Sequence, residues 1–114
     1  MQDIDLSLNI MGKQLNYPLI INAVTGGTAQ ARSINQAFAA IAGKYGFAMA
    51  VGSQAIAIHD PGLRDTFSVV RDINPDGLII ANIGANTEWE KVLEAIEMIS
   101  ADAIQLHFNV PDRK

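Results

Sequence analysis

The chain has 114 residues, 49% of them hydrophobic and 18% charged, enough to bury one ordinary globular core. Its formal net charge is -4 and its eight basic residues are scattered, so it offers no positive face for a nucleic-acid backbone or an anionic membrane surface. Cysteine is absent, which excludes disulfide frameworks, thiolate metal sites and cysteine nucleophiles. With Asp3 and Asp5 where a basic leader would stand, and no apolar run near the ~20 residues that span a bilayer, a cytoplasmic protein is expected.

Along the chain, Ile4, Leu6, Leu8 and Ile10 alternate with Asp3, Asp5, Ser7 and Asn9, the period of a half-buried strand. Gly12 and Lys13 supply a turn, and residues 14–17 return as the second arm of a short hairpin before Pro18. Residues 19–24 are a near-continuous apolar run, as expected of a parallel strand covered on both faces, and the run stops at Thr25-Gly26-Gly27-Thr28. Ile34, Ala37, Phe38, Ile41, Ala42 and Tyr45 then recur at helical spacing over residues 29–45, with Gly46 placed to end the helix in a left-handed conformation. A second buried strand is expected over residues 47–51. Asp60-Pro61 reads as an N-cap and first-turn proline, opening a helix whose Leu63, Phe67 and Val70 face inward up to the breaker Asn74-Pro75-Asp76-Gly77. Residues 78–81 form a third buried strand. Thr87 with Glu90 has the spacing of a capping box, and Val92, Leu93, Ile96 and Ile99 give the stripe of the next helix. Asp102 leads into a last strand over residues 103–108. Met49, Met98 and Trp89 read as packing residues, and His59 as exposed.

The buried strands start at Leu19, Phe47, Leu78 and Ala103, at spacings of 28, 31 and 25 residues, a βα repeat with parallel strands. Open sheets and closed barrels share this rhythm. The polar residues favour the barrel, because a small-polar or glycine cluster follows every strand: Thr25-Gly26-Gly27, Gly52-Ser53-Gln54, Asn82-Ile83-Gly84 and His107 to Asn109. Alternation also puts Gln105, His107 and Asn109 on one face, more polar groups than packing requires. The fold expected is α/β: a partial (β/α)8 TIM barrel of about four parallel strands and three helices over residues 18–114, preceded by a hairpin over residues 1–17. A complete barrel takes ~250 residues. The first and fourth strands of a half-barrel keep unpaired edges, so such a chain is expected to pair with another half, to form a homo-oligomer, or to belong to a longer polypeptide.

Five stretches in order, Ile21-Asn22-Ala23-Val24-Thr25-Gly26-Gly27, Val51-Gly52-Ser53-Gln54, Asp65-Thr66-Phe67-Ser68-Val69-Val70-Arg71, Ala81-Asn82-Ile83-Gly84 and Gln105-Leu106-His107-Phe108-Asn109, resemble the type 2 isopentenyl-diphosphate isomerases. The resemblance implies the N-terminal part of an FMN-dependent barrel that interconverts isopentenyl and dimethylallyl diphosphate in isoprenoid biosynthesis, with Mg2+ and NADPH as further cofactors. It also implies FMN contacts at Ala23, Val24, Thr25, Ser53 and Asn82, and substrate contacts at Ser53, Gln54, His107 and Asn109. No catalytic residue and no metal ligand is assigned in this chain.

The chain departs from the family pattern at several points. Val24 replaces the usual methionine, and Ala55 stands where many members have an arginine. The glutamine and the magnesium-binding glutamate expected after Asn109 are absent, Val110-Pro111-Asp112-Arg113-Lys114 following instead. Isolated isomerase activity is therefore not expected of this stretch. Two other readings stand beside it, half of another FMN-binding barrel oxidoreductase and a non-catalytic half-barrel module. Residue by residue, Thr25-Gly26-Gly27 also serves as a plain strand-to-helix turn, Asn82 as a turn residue bonding its own backbone, and His107 as a hydrogen-bonded structural histidine.

Overall fold

In the computed structural model of the chain, residues 8–10, 12–17, 19–23 and 27–108 are described. Strand β1 (Leu8–Ile10) pairs antiparallel with β2 (Lys13–Leu15) around Gly12, whose φ of 77° is a turn conformation that a side chain would strain. The expected hairpin is thus present, with its second arm starting one residue earlier than the sequence suggested; the part of the alternating run before Leu8 lies outside the described residues. Leu15 packs with Ala48 and Leu78, and the Asn16 N–H donates to Gly46 O at 2.9 Å, so the hairpin closes the end of the sheet where the parallel strands begin.

Four strands, β3 (Ile20–Asn22), β4 (Ala48–Ala50), β5 (Ile79–Gly84) and β6 (Ala103–His107), form one parallel sheet in sequential order. Between them run α1 (Ala29–Tyr45), a five-residue α2 (Ala55–His59), a 3-10 turn (Pro61–Leu63), α3 (Asp65–Ile73) and α4 (Trp89–Met98). The architecture is α/β and matches a partial (β/α)8 barrel, with a fourth short helix beyond the three expected.

The two faces of the sheet differ. Met49, Val51, Ile79 and Ala81 share one core with Ala39 and Ala42 of α1, Phe67 and Val70 of α3, and Met98 and Ile99 at the end of α4. The register sets Asn22, Ala50, Ile80 and Ala103 side by side on the other face, followed by Asn82 beside Gln105 and Gly84 beside His107. That inner face is what a closed barrel would fill. Here it is open, so β3 is not the doubly covered strand expected: Ile20 is 54% exposed and Leu19 53%, because β3 has one neighbour and nothing opposite it among the described residues. Leu106, 47% exposed on the outer face of β6, lacks a covering helix for the same reason.

Helix α1 begins and ends as its sequence indicates. Thr28 Oγ1 accepts the Ala31 N–H at 3.0 Å, and Gly46 takes the left-handed conformation with φ 75°. Its buried side, however, is Ala31, Asn35, Ala39 and Ala42, while Ala37, Ile41 and Tyr45 face solvent. Alanines let α1 approach α3 closely, and buried Asn35 donates to Thr66 O at 2.8 Å, fixing that approach. Asp60 caps the 3-10 turn, accepting from the Gly62 N–H at 3.1 Å, and Phe67 and Val70 are buried as expected. The capping box does not form: the N-cap of α4 is Glu88, without a side-chain bond, and Thr87 lies one residue outside the helix. Trp89 is likewise not a packing residue. It occupies the first turn of α4 on the outer side, 67% exposed, and Leu93 one turn on is 41% exposed. Met49, Met98 and His59 lie where expected, the methionines buried and the histidine exposed.

Candidate functional site

The C-terminal ends of parallel strands are where a βα fold opens its loops, and three of them converge here. After β4, Val51 and Gly52 remain buried and Ser53 is exposed. Gln54, next in the chain, is fully buried. It occupies the N-cap position of α2, yet its side chain does not cap the helix. It turns inward instead: Nε2 donates to Ala95 O at 2.8 Å and reaches Met98 Sδ at 3.5 Å, while Oε1 accepts the Asn82 N–H at 2.9 Å. The Gln54 N–H donates back to Asn82 O at 2.9 Å, so two reciprocal bonds tie the end of β4 to β5. A side chain so committed is bonded at both ends of its amide and turns no polar atom to the surface of the described residues.

Asn82 sits on the inner face, half-buried. Its Nδ2 donates to Val51 O at 3.2 Å, and its Oδ1 lies 2.8 Å from His107 Nδ1. The expectation that Asn82 bonds its own turn is therefore not what occurs; it joins the ends of β4, β5 and β6. His107, half-buried, is held additionally through its carbonyl, which accepts the Ala85 N–H at 2.8 Å. Above this layer is a cavity of about 320 Å3 lined by Ser53, Ala55, Gly84, Ala85, Asn86, Thr87 and His107. At Gly84 a β-carbon would stand 3.7 Å from both His107 Nε2 and Thr87 Oγ1, so the missing side chain leaves that ring nitrogen and hydroxyl facing a common space. A second cavity of about 420 Å3 shares Ala55, Asn86 and Thr87 and adds His59 and Lys91.

Of the residues the sequence singled out, Ser53, Asn82 and His107 are brought together. Ala23 is buried at the top of β3, its N–H donating to Ala50 O at 2.9 Å. Gln105 lies beside Asn82 on the inner face, exposed. Val24, Thr25 and Asn109 lie outside the described residues. Thr87 and Lys91 line these cavities and were not singled out for the site by the sequence. Thr87 had a signal for a helix cap only, and Lys91 nothing to distinguish it from a solvated helix residue. Among the described residues no group of three or more His, Cys, Asp or Glu is placed to hold a metal ion, and no helix is long and apolar enough to cross a membrane.

No protein-family model matches the chain. It is 43% identical over 109 residues, 96% of its length, to an isopentenyl-diphosphate delta-isomerase of Symbiobacterium thermophilum, of which it covers 30%. It is equally 43% identical over 109 residues to an isopentenyl-diphosphate delta-isomerase of Staphylococcus aureus, of which it covers 31%. The resemblance read from the five stretches thus extends over nearly the whole chain, and the chain spans about 30% of the length of the curated relatives it matches.

Proposed function

We propose that the chain contributes the first strands of an FMN-dependent isomerase that interconverts isopentenyl and dimethylallyl diphosphate. What carries the reading is 43% identity over 96% of the chain to isomerases of that name, which favours it over an oxidoreductase on a similar barrel. The isomerisation adds a proton to a terminal methylene carbon and removes one from the carbon two positions along, with no net oxidation. A site for it needs an apolar floor for the carbon skeleton, groups for the diphosphate, and a means of moving a proton. Ala50, Ile80 and Ala103 supply an apolar row on the inner face, beneath the polar layer of Asn82 and His107.

The residues present fit a flavin. The Ser53 hydroxyl is exposed, the cavity beside it is floored by Gly84, and Asn82 keeps one N–H and one oxygen lone pair beyond its bonds to Val51 and His107. Ser53 and Asn82 would hold the ring's polar edge, with the backbone of Ala23 and the adjoining Val24 and Thr25 against its face. When bound and reduced, FMN supplies the proton relay of the reaction. His107, with Ser53 and Asn109, would contact the substrate, and Gln54 would act behind Asn82. Mg2+ and NADPH belong to the reading through the resemblance, with no described residue assigned to either. The remaining barrel strands, from the same polypeptide or a second copy, would cover the inner face; residues 1–17 would form the N-terminal hairpin and residues 18–114 the first half of the barrel, in a cytoplasmic protein.

The test uses the complete polypeptide, reconstituted with FMN, a reductant and Mg2+ and given isopentenyl diphosphate. Appearance of dimethylallyl diphosphate is expected. Flavin binding with NADPH oxidation and no isomerisation would replace this reading by the oxidoreductase.

A further inference from the structure

The chain holds two histidines, His59 on the exposed end of α2 and His107 in the site. A neutral imidazole has one protonated and one bare nitrogen, and what its neighbours offer decides which is which. For His107 the deciding neighbour is Asn82 Oδ1, 2.8 Å from Nδ1. An amide oxygen only accepts, so Nδ1 carries the proton and Nε2 is left bare, facing the space over Gly84 with Thr87 Oγ1. The Asn82 amide is not free to reverse: its Nδ2 donates to Val51 O, and a reversed amide would set two oxygens against each other.

Asn82 is in turn held by a residue that never reaches the open face. Gln54 bonds both backbone polar groups of Asn82, at 2.9 Å each, and its own amide is anchored to Ala95 O in α4. Fully buried and satisfied at both ends of its amide, Gln54 has one position available. We propose that Gln54 is a positioning residue which, through Asn82, holds His107 with Nδ1 protonated and its Nε2 lone pair turned on the cavity. This goes beyond the proposed activity and is measured without any ligand, so its failure and the failure of that reading are separate results.

The experiment is 15N NMR of the ligand-free intact protein labelled at histidine, at a pH raised until the ring signals no longer change with pH. His107 is assigned by loss of its signals in His107→Gln, and His59 is the solvent-exposed comparison. His107 is expected in the Nδ1–H form, and His59 in the mixture that favours Nε2–H, as free histidine does. In Gln54→Leu the His107 ratio should shift toward that of His59 by about fivefold to tenfold, the worth of one neutral hydrogen bond. A scalar coupling across the hydrogen bond from the Asn82 amide to the Gln54 side-chain carbonyl, read in the unsubstituted protein, keeps the test decisive if Gln54→Leu does not fold. His107 found as Nε2–H, a folded Gln54→Leu with His107 unchanged, or the absence of that coupling would each overturn the proposal.

Discussion

The two ends of the parallel sheet carry polar networks of opposite design. At the end where the strands begin, Arg71 donates to Asp102 Oδ2 at 2.9 Å, to Ser100 O at 2.7 Å, to Gly77 O at 3.0 Å and to Pro75 O at 3.2 Å, stitching the loop after α3 to the loop before β6. Asp102 Oδ2 also accepts the Ile79 N–H at 3.0 Å, and Lys13 of the hairpin stands 3.9 Å from Oδ1. There a full charge meets several acceptors, and the network closes on itself. At the opposite end Gln54, Asn82 and His107 are all neutral or able to be so, and the chain of bonds stops at a ring nitrogen facing a cavity. A closed charged cluster stabilises a fold, whereas a preorganised neutral one with an open valence is what a ligand site needs.

If that division is right, Arg71→Ala produces the largest loss of stability. The substitution leaves the partly buried Asp102 carboxylate without its partner and several loop carbonyls without their donor, and should cost about 3 kcal/mol in denaturant unfolding. Flavin affinity, measured where the protein is still folded, should change little. A loss of flavin exceeding the loss of stability would break the contrast, since it would make the lower network part of the site.

Asn82→Leu should do the reverse. Removing the amide takes away the bond to His107 and the proposed contact to the flavin edge, so FMN retention should weaken by about tenfold, near 1.4 kcal/mol. Unchanged flavin content in a folded variant would reduce Asn82 to a tie between strands.

How far each network was legible in the sequence follows from the range of its contacts. The βα rhythm, the bounds of α1 and the common face of Gln105 and His107 are local patterns, and all three appear in the fold. Gln54 is bonded to groups 28, 41 and 44 residues away, so nothing near it in sequence marks it as buried. The same holds for Asn35, whose partner Thr66 is 31 residues on. Helix α2 has five residues and no side-chain cap, too short for a periodic signal. The exposure of Ile20 and Leu106 was unreadable for another reason: an apolar run reports what a strand is suited to touch, and the partners for those faces are not among the described residues.

The smallest effect expected is the pH response of the lower network. Burial alone would raise the Asp102 carboxyl; the Ile79 N–H, the hydrogen bond and charge of Arg71, and the charge of Lys13 outweigh it and hold the group below its ordinary value of 3.8. A carboxyl whose folded value is depressed contributes stability that is fully present above the unfolded value and is lost as pH falls through the folded one. The Asp102 contribution should therefore be constant from neutrality down to about pH 5 and fade below about pH 4, near the reference carboxylate value. Asp102→Asn keeps an acceptor for Ile79 and Arg71 but removes the titration. Unfolding free energies of the two proteins should run parallel above pH 5 and converge below pH 4, Asp102 losing its advantage as it protonates. The water that still reaches Asp102, whose side chain is 18% exposed, keeps the effect modest. Curves that stay parallel down to pH 2 would show that geometry alone, and not charge, fastens this end of the sheet.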